Sequence, residues 1–340
     1  MSGQAWNDNG FLEADDSAAQ VRELLRTDPT SKAWLFLPRH ETDALDQAAT
    51  HLGIDALAIE DILGEREPMK LDWIDSTLVA VLRWVSFDVT TGELTALPVS
   101  VLAGPRAVIV LTDEEHCREL ADVLRKRGPA ILSDGIPAAL HAVVDTVVDA
   151  ITAVLLVMED AVDKLSETLF DDRPLIKAEQ LYAFRVRRAL AHLRRVTTPM
   201  RDIAAGLANA AGRAAARHNT DDPEPTDDAE RLLGLRSVRE FSDVADHAEH
   251  AGQNADGLRD VISSMYETNL ALADVHLNTV MKKLTGWAAI IAVPTLITGF
   301  MGMNVPYPGF QSEVGFLIAF VVMITAVLTL FVTLRRRDWI

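Results

Sequence analysis

A single cysteine, Cys117, stands in 340 residues. One thiol can close no intrachain disulfide and can build no cysteine cage for a metal ion. Positive charge is also scarce: 32 Lys and Arg face 50 Asp and Glu, for a formal net charge of −18 at pH 7. Phosphate contacts demand clustered basic side chains, so this deficit argues against a nucleic-acid partner. Enzyme signatures are missing as well: no Walker A loop, no His-Glu-x-x-His zinc motif and no Gly-x-Ser-x-Gly elbow, so no enzyme is expected. Met1 to Asp16 is polar and acidic where a secretory leader needs a basic start and an apolar run, so insertion into a membrane is expected to rely on later segments. The most informative absence is charge itself, which vanishes from Leu284 to Met301 and again from Val314 to Leu334.

Each charge-free run is long enough, at about 1.5 Å per residue, to cross a hydrocarbon core of about 30 Å. Lys282 and Lys283 precede the first run, Arg335, Arg336 and Arg337 follow the second, and nothing basic lies between them. By the positive-inside rule both ends face the cytoplasm and only a tight loop reaches the far side. The expected location is therefore the cell membrane, multi-pass, with both termini cytoplasmic. Met281–Ile340 holds five basic and two acidic residues, which leaves 27 basic and 48 acidic in the remainder. That acidic body is compatible with attracting cations.

The expected fold class is an α+β cytoplasmic domain followed by a very long stalk helix and a C-terminal two-helix transmembrane hairpin. Apolar runs at Ala33–Leu37, Leu78–Phe87, Leu94–Leu102 and Ala107–Leu111 predict strands, in an order the sequence does not give. Thr42–Leu52, Asp55–Leu63 and Glu114–Arg127 predict helices, the last behind a Thr112-Asp113 capping signal. Beyond Gly135 the strand signals stop. Long helices are predicted over Ile136–Phe170 and from about Leu175 to Ala210. The apolar stretch Ile151–Met158 imitates a third span, but Asp145, Asp149, Glu159 and Asp160 interrupt it too closely. Asn219–Asp228, with two prolines and five acids, predicts a turn or linker. From Ala229 to Met301 one continuous helix of roughly 110 Å is predicted. The resulting segments are 1–134 (α/β domain), 135–228 (helical hairpin), 229–283 (stalk), 284–303 (first span), 304–313 (external loop), 314–334 (second span) and 335–340 (basic tail).

Along the stalk, alternating steps of four and three pick out Asp260, Ser264, Glu267, Ala271, Asp274, Asn278 and Met281. The same count continues through Thr285, Ala288, Ala292, Thr295, Gly299 and Gly302. Such a 3.5-residue seam is what packed parallel helices present to a common axis, where Leu and Ile ordinarily sit. Here the seam is mostly polar or small and suits a hydrated tube better than a dry core. Leu258, Ile262, Met265, Leu272, Leu277 and Val280 flank it and can pack against neighbours, while Trp287, Ile290, Ile291, Leu296, Ile297 and Phe300 fall away from it and can face lipid. Two spans enclose no pore, so a ring of identical subunits is required.

Pro294-Thr295-Leu296-Ile297-Thr298-Gly299-Phe300-Met301-Gly302-Met303-Asn304 closes the first span, and Arg335-Arg336-Arg337-Asp338-Trp339-Ile340 ends the chain. Together these stretches resemble the CorA family of divalent-cation channels, at motif level from about Leu258 to Ile340. The resemblance implies a funnel-shaped homopentamer in the lipid bilayer that passes hydrated Mg2+, with Co2+ and Ni2+ as less favoured permeants. It implies a selectivity filter at Gly302, Met303 and Asn304. Magnesium holds its waters tightly, and a ring of Asn304 amide and Gly302 backbone carbonyls can accept hydrogen bonds from the hydrated ion without stripping it. The plain structural alternative for Gly302 is a helix C-cap, with Asn304 steadying the turn. Asn278, Met281, Leu284, Thr285, Ala288, Ala292, Thr295 and Gly299 are the pore-lining candidates, with Met281 and Leu284 suited to a dewetting gate at the cytoplasmic mouth. Ala292 stands where the family often places a bulkier apolar residue. Thr295 can alternatively bond back to its own helix beside the proline.

The resemblance also implies regulation by divalent ions bound between cytoplasmic domains. Asp243 matches the acidic position used there, and Asp88, at the end of the Leu78–Asp88 strand, is the candidate partner. His247 and His250, with Asp243, form a set that can take a softer ion such as Zn2+. The external loop carries one acid, Glu313, where many members carry a cluster. This leaves room for the related ZntB branch, which moves zinc with protons, although no membrane-embedded carboxylate offers itself as proton carrier. A membrane-tethered divalent-cation sensor is the remaining alternative.

Overall fold

Up to Thr112 the apolar runs pair into one seven-stranded sheet in the computed structural model, which describes residues 2–7, 10–12, 18–52, 54, 56–63, 67–74, 76–169, 174–218, 232–233, 237–304, 308–309 and 312–340. The strands are β1 (Ser2–Asn7), β2 (Gly10–Phe11), β3 (Lys32–Pro38), β4 (Lys70–Ile74), β5 (Thr77–Asp88), β6 (Glu93–Ala103) and β7 (Ala107–Thr112). Their order is β2-β1-β3-β7-β6-β5-β4, parallel between β3 and β7 and antiparallel elsewhere. Helices α1 (Ala18–Thr27), α2 (Thr42–Leu52) and α3 (Ala56–Leu63) pack on the face carrying Ala33, Leu35, Leu37, Val79, Val81, Ile109 and Leu111. The alternate residues Trp34, Phe36, Leu78, Ala80, Leu82, Val108 and Val110 are buried as well. Both faces of the sheet are therefore covered, which explains why these strands read as unbroken apolar runs.

Four of the strands and three of the short helices fall where the apolar pattern predicts them. The pattern did not reveal β1, β2, β4, α1 or α5 (Gly128–Asp134). The reason is visible in β4, whose Lys-Leu-Asp-Trp-Ile carries no buried residue, and in the two-residue β2. Helix α4 (Glu114–Lys126) begins as expected, with the Asp113 carboxylate accepting the backbone N–H of His116 at 2.9 Å.

The remaining elements are helices: α6 (Ile136–Leu169), α7 (Lys177–His218), α8 (Ser237–Met301) and α9 (Glu313–Arg336). The expected start of the stalk, Ala229, lies outside the described residues; Leu233 forms a bend, and the long helix is described from Ser237. The linker expected at Asn219–Asp228 lies outside the described residues. Helix α7 continues past Ala210 to His218 with Pro199 inside it. Among the described residues three helices are long and apolar enough to cross a membrane, by length and composition alone, but their apolar windows differ in burial: 56% in α6, 11% in α8 and none in α9. The apolar face of α6 is occupied by the fold itself.

The chain divides into two units, Met1–Leu165 with Lys177–Ser263, and Ser166–Ile176 with Ser264–Ile340. In the second unit the buried Asn269 amide oxygen accepts the Leu175 N–H at 2.8 Å, so a polar side chain inside that packing is satisfied.

Candidate functional site

In the second unit, α8 carries the seam through its C-terminal part. Asn278, Met281, Leu284, Thr285, Ala288, Ala292, Thr295 and Gly299 are all exposed in the protomer. Met281 and Leu284 are 54% and 64% exposed, unusual for large apolar groups without a partner surface. Gly299 sharpens the point: a Cβ built there meets nothing within 4 Å, so the protomer's own packing does not require a glycine. Gly286 is the contrary case. It is buried, and a Cβ would stand 3.0 Å from Ile340 Cγ1, because the C-terminal Trp339-Ile340 folds back onto α8 at this position. The reversal follows from Asp338 in the left-handed region (φ 54°) and from the Trp339 N–H donating to the Leu334 carbonyl at 3.0 Å.

Pro294 can donate no N–H inside α8. The Thr295 hydroxyl donates to the Ile291 carbonyl at 2.8 Å, and that of Thr298 donates to the Pro294 carbonyl at 2.9 Å. Thr295 thus spends its proton on its own helix and turns only acceptor lone pairs outward. The helix ends with the Gly302 N–H donating to the Thr298 carbonyl at 2.9 Å and the Met303 N–H to the Phe300 carbonyl at 3.1 Å. Gly302 is absent from the positive-φ residues, so it is not a left-handed C-cap. Gly302, Met303 and Asn304 are exposed, and the Asn304 amide has no hydrogen-bond partner among the described residues. Val305, Pro306, Tyr307, Phe310 and Gln311 of the expected loop lie outside the described residues. Glu313, assigned to that loop from sequence, is the first residue of α9, behind the Ser312 N-cap.

In the first unit, Asp145 and Asp149 of α6 meet His247 of α8. One ligand atom from each lies within 4.8 Å of the others. Asp145 is 7% exposed and ion-paired with Arg127, whose other terminal nitrogen lies 3.1 Å from His141 Nδ1. Burial, then the adjacent Asp145 charge, push the Asp149 carboxyl above its ordinary range, while His247 and Arg127 oppose the shift. His247 Nε2 also lies 3.9 Å from Asp243 Oδ1, one turn earlier on α8. Two carboxylates and an imidazole from two helices form a donor set that fits a divalent ion, and one like-charge pair here is left without full neutralisation. His250 is not in this group. Asp88 faces its own hairpin: its Oδ1 accepts the Thr90 N–H at 2.8 Å and its Oδ2 accepts the Thr91 hydroxyl at 3.0 Å. These bonds, the Thr90 N–H foremost, hold the Asp88 carboxyl below its usual range. Sequence reasoning had Asp145 and Asp149 only as interruptions of an apolar helix; their i, i+4 spacing was the available signal.

Residues 31–336 match the family described as CorA-like Mg2+ transporter protein. The cobalt/magnesium transport protein CorA of Thermotoga maritima is 24% identical over 324 residues, covering 92% of this chain and 85% of the relative. The complete structure of the CorA magnesium transporter from Methanocaldococcus jannaschii superposes with a TM-score of 0.73 at 17% identity, over 100% of this chain and 99% of that one. The ZntB cytoplasmic domain from Vibrio parahaemolyticus gives 0.54 at 11% identity, over 80% of this chain and 97% of that one.

Proposed function

We propose, for a chain that belongs to the CorA-like Mg2+ transporter family, a pentameric channel that passes hydrated Mg2+ along the α8 seam. The observation that carries this reading is the Gly302-Met303-Asn304 turn, exposed at the end of a helix on which Asn278, Thr285, Ala288, Ala292, Thr295 and Gly299 are also exposed, with nothing of the protomer within 4 Å of a Cβ at Gly299. Repeated around one axis, the Asn304 amides would accept hydrogen bonds from the waters of the ion, and neutral carbonyls would release it again. Asn278, Thr285 and the acceptor face of Thr295 would continue a polar path, while Met281 and Leu284 would narrow its cytoplasmic mouth. Co2+ and Ni2+ fit the same water-mediated contacts. Glu313 would be the single acid near the entrance.

Closure by divalent ions is proposed for the cytoplasmic side, with Asp243 acting across a subunit boundary towards Asp88. The Asp145–Asp149–His247 group would contribute a second ligand set, formed by α6 and α8 one turn from Asp243. Its imidazole also suits Zn2+, which together with the ZntB-like fold supports proton-coupled zinc transport as the second reading. Both readings keep the two ends of the chain in the cytoplasm and the ring in the cell membrane.

Flux into proteoliposomes tests the assignment. The parent is expected to pass Mg2+ down its gradient without needing a proton gradient, and Asn304→Ala is expected to lose at least about tenfold in flux, as the loss of a preorganised set of hydrogen-bonding groups implies. Zn2+ flux that rises with an imposed pH gradient, with little Mg2+ flux, would favour the second reading. Unchanged Mg2+ flux in an assembled Asn304→Ala protein would sink the filter.

A further inference from the structure

Between Glu179 and Asp202, α7 carries six arginines and no acid, in a chain with 50 acidic and 32 basic residues. Arg185, Arg188, His192 and Arg195 recur at steps of three and four, which sets them on one helix face about 15 Å from end to end. The β5–β6 hairpin is fixed over that face. The Tyr182 hydroxyl donates to the Val89 carbonyl at 2.8 Å, and Arg185 donates to the Thr91 carbonyl at 3.2 Å. Gly92, at φ 72°, brings the turn so close that a Cβ would lie 3.2 Å from the Tyr182 ring. Hairpin and helix enclose a cavity of about 490 Å³ lined by these four basic side chains and by Gly92, Glu93, Leu94 and Thr95. Small-molecule sites occupy roughly 300–1,000 Å³.

Elsewhere on the helix, arginines find acids: Arg194 pairs with Asp256 at 3.3 Å and Arg201 with Glu249 at 2.6 Å. Arg188 and Arg195 make no ion pair or hydrogen bond with any described residue, and Glu93, the one acid in the lining, is bonded to neither. Guanidinium groups held around a cavity without carboxylate partners suit an oxyanion, which they can grip through paired N–H donors. The lining has no Phe, Tyr or Trp ring on which a nucleobase would stack. We propose that this cavity binds a phosphate-bearing small polyanion, a di- or triphosphate, through Arg188 and Arg195, with Arg185 and His192 at its margins. Recognition is of the phosphate chain and is indifferent to what the chain is attached to. The site is independent of the transport reading.

Calorimetric titration of the purified full-length protein with inorganic triphosphate, in magnesium-free buffer, tests this. One saturable site per chain is expected. The Arg188→Gln/Arg195→Gln variant should bind about a hundredfold more weakly, from about tenfold for each charge-assisted hydrogen-bonding group removed. Arg188→Lys/Arg195→Lys should fall between them, because lysine keeps the charge but not the fork. ATP should match inorganic triphosphate within about threefold, and adenosine should give no binding. The proposal is overturned if the parent shows no saturable binding or if the glutamine variant, with unchanged melting, binds as the parent does. A preference for ATP over inorganic triphosphate of about tenfold or more would also overturn it. So would a glutamine variant that changes oligomeric state while the parent binds no triphosphate, since the arginines would then be answering acids of a neighbouring copy.

Discussion

At Asp149, burial and a neighbouring like charge act on one side chain. Its side chain reaches solvent, yet the packed helices strip part of its hydration and Asp145 adds a second negative charge. An acid whose folded value is raised binds its proton more tightly folded than unfolded. Its contribution is therefore lost as pH rises through the interval between the ordinary and the raised value, and regained on acidification. Asp149→Asn is expected to melt higher than the parent at pH 7 in chelator, with the difference shrinking as pH falls towards the ordinary carboxylate range. Added Mg2+ should raise the melting temperature of the parent more than that of the variant, by mass action on a site the variant lacks. Thermal scans across pH and magnesium concentration check both signs. A variant that is no more stable in chelator, or that gains equally from magnesium, would show that the cluster holds no ion.

At the scale of the element, α8 is one helix with two different demands on glycine. At Gly252 a Cβ would stand 2.6 Å from Arg201 Cδ, so the backbone is close to α7 and the Arg201–Glu249 pair depends on that approach. Gly252→Leu should destabilise the fold by about 1–3 kcal/mol, as overpacking does, measured by chemical unfolding. At Gly299 nothing of the protomer stands within 4 Å. Gly299→Trp should therefore leave the protomer's unfolding unchanged and act only in the assembly, blocking flux or ring formation. Ile291→Trp should be tolerated, because Ile291 falls off the seam and is 64% exposed. Equal flux in Gly299→Trp and Ile291→Trp would mean that the seam does not face the pathway.

For the whole molecule, the unpartnered apolar surface calls for a bilayer and further subunits. No residue of α9 is buried in the protomer, and Phe316 and Val314 are each 66% exposed. A net charge of −18 makes neighbouring copies of such a chain repel one another unless cations intervene. Asp243→Asn should weaken the proposed divalent bridge, since magnesium prefers carboxylate oxygens to a neutral amide. The variant should keep conducting at internal magnesium levels that close the parent and should need more magnesium for protection from protease. Coincident titration curves for flux and proteolysis would reduce Asp243 to a solvated acid.

What was legible in the sequence is what local chemistry dictates. Charge-free runs of spanning length and basic residues at their outer flanks specify two spans, and a 3.5-residue seam picks out one face of the first, because each depends on spacing along one helix. The buried strands announced themselves because both faces of the sheet are covered. Edge strand β4 did not, since a strand without buried residues has no pattern to reveal it. The partners of side chains were equally hidden. That Asp145 and Asp149 meet His247, that Asp88 turns into its own hairpin, and that Ile340 returns to Gly286 all depend on residues distant in the chain or on a local backbone reversal. Tertiary structure alone decided them, because periodicity along a helix says which face a residue takes and nothing about what comes to lie opposite it.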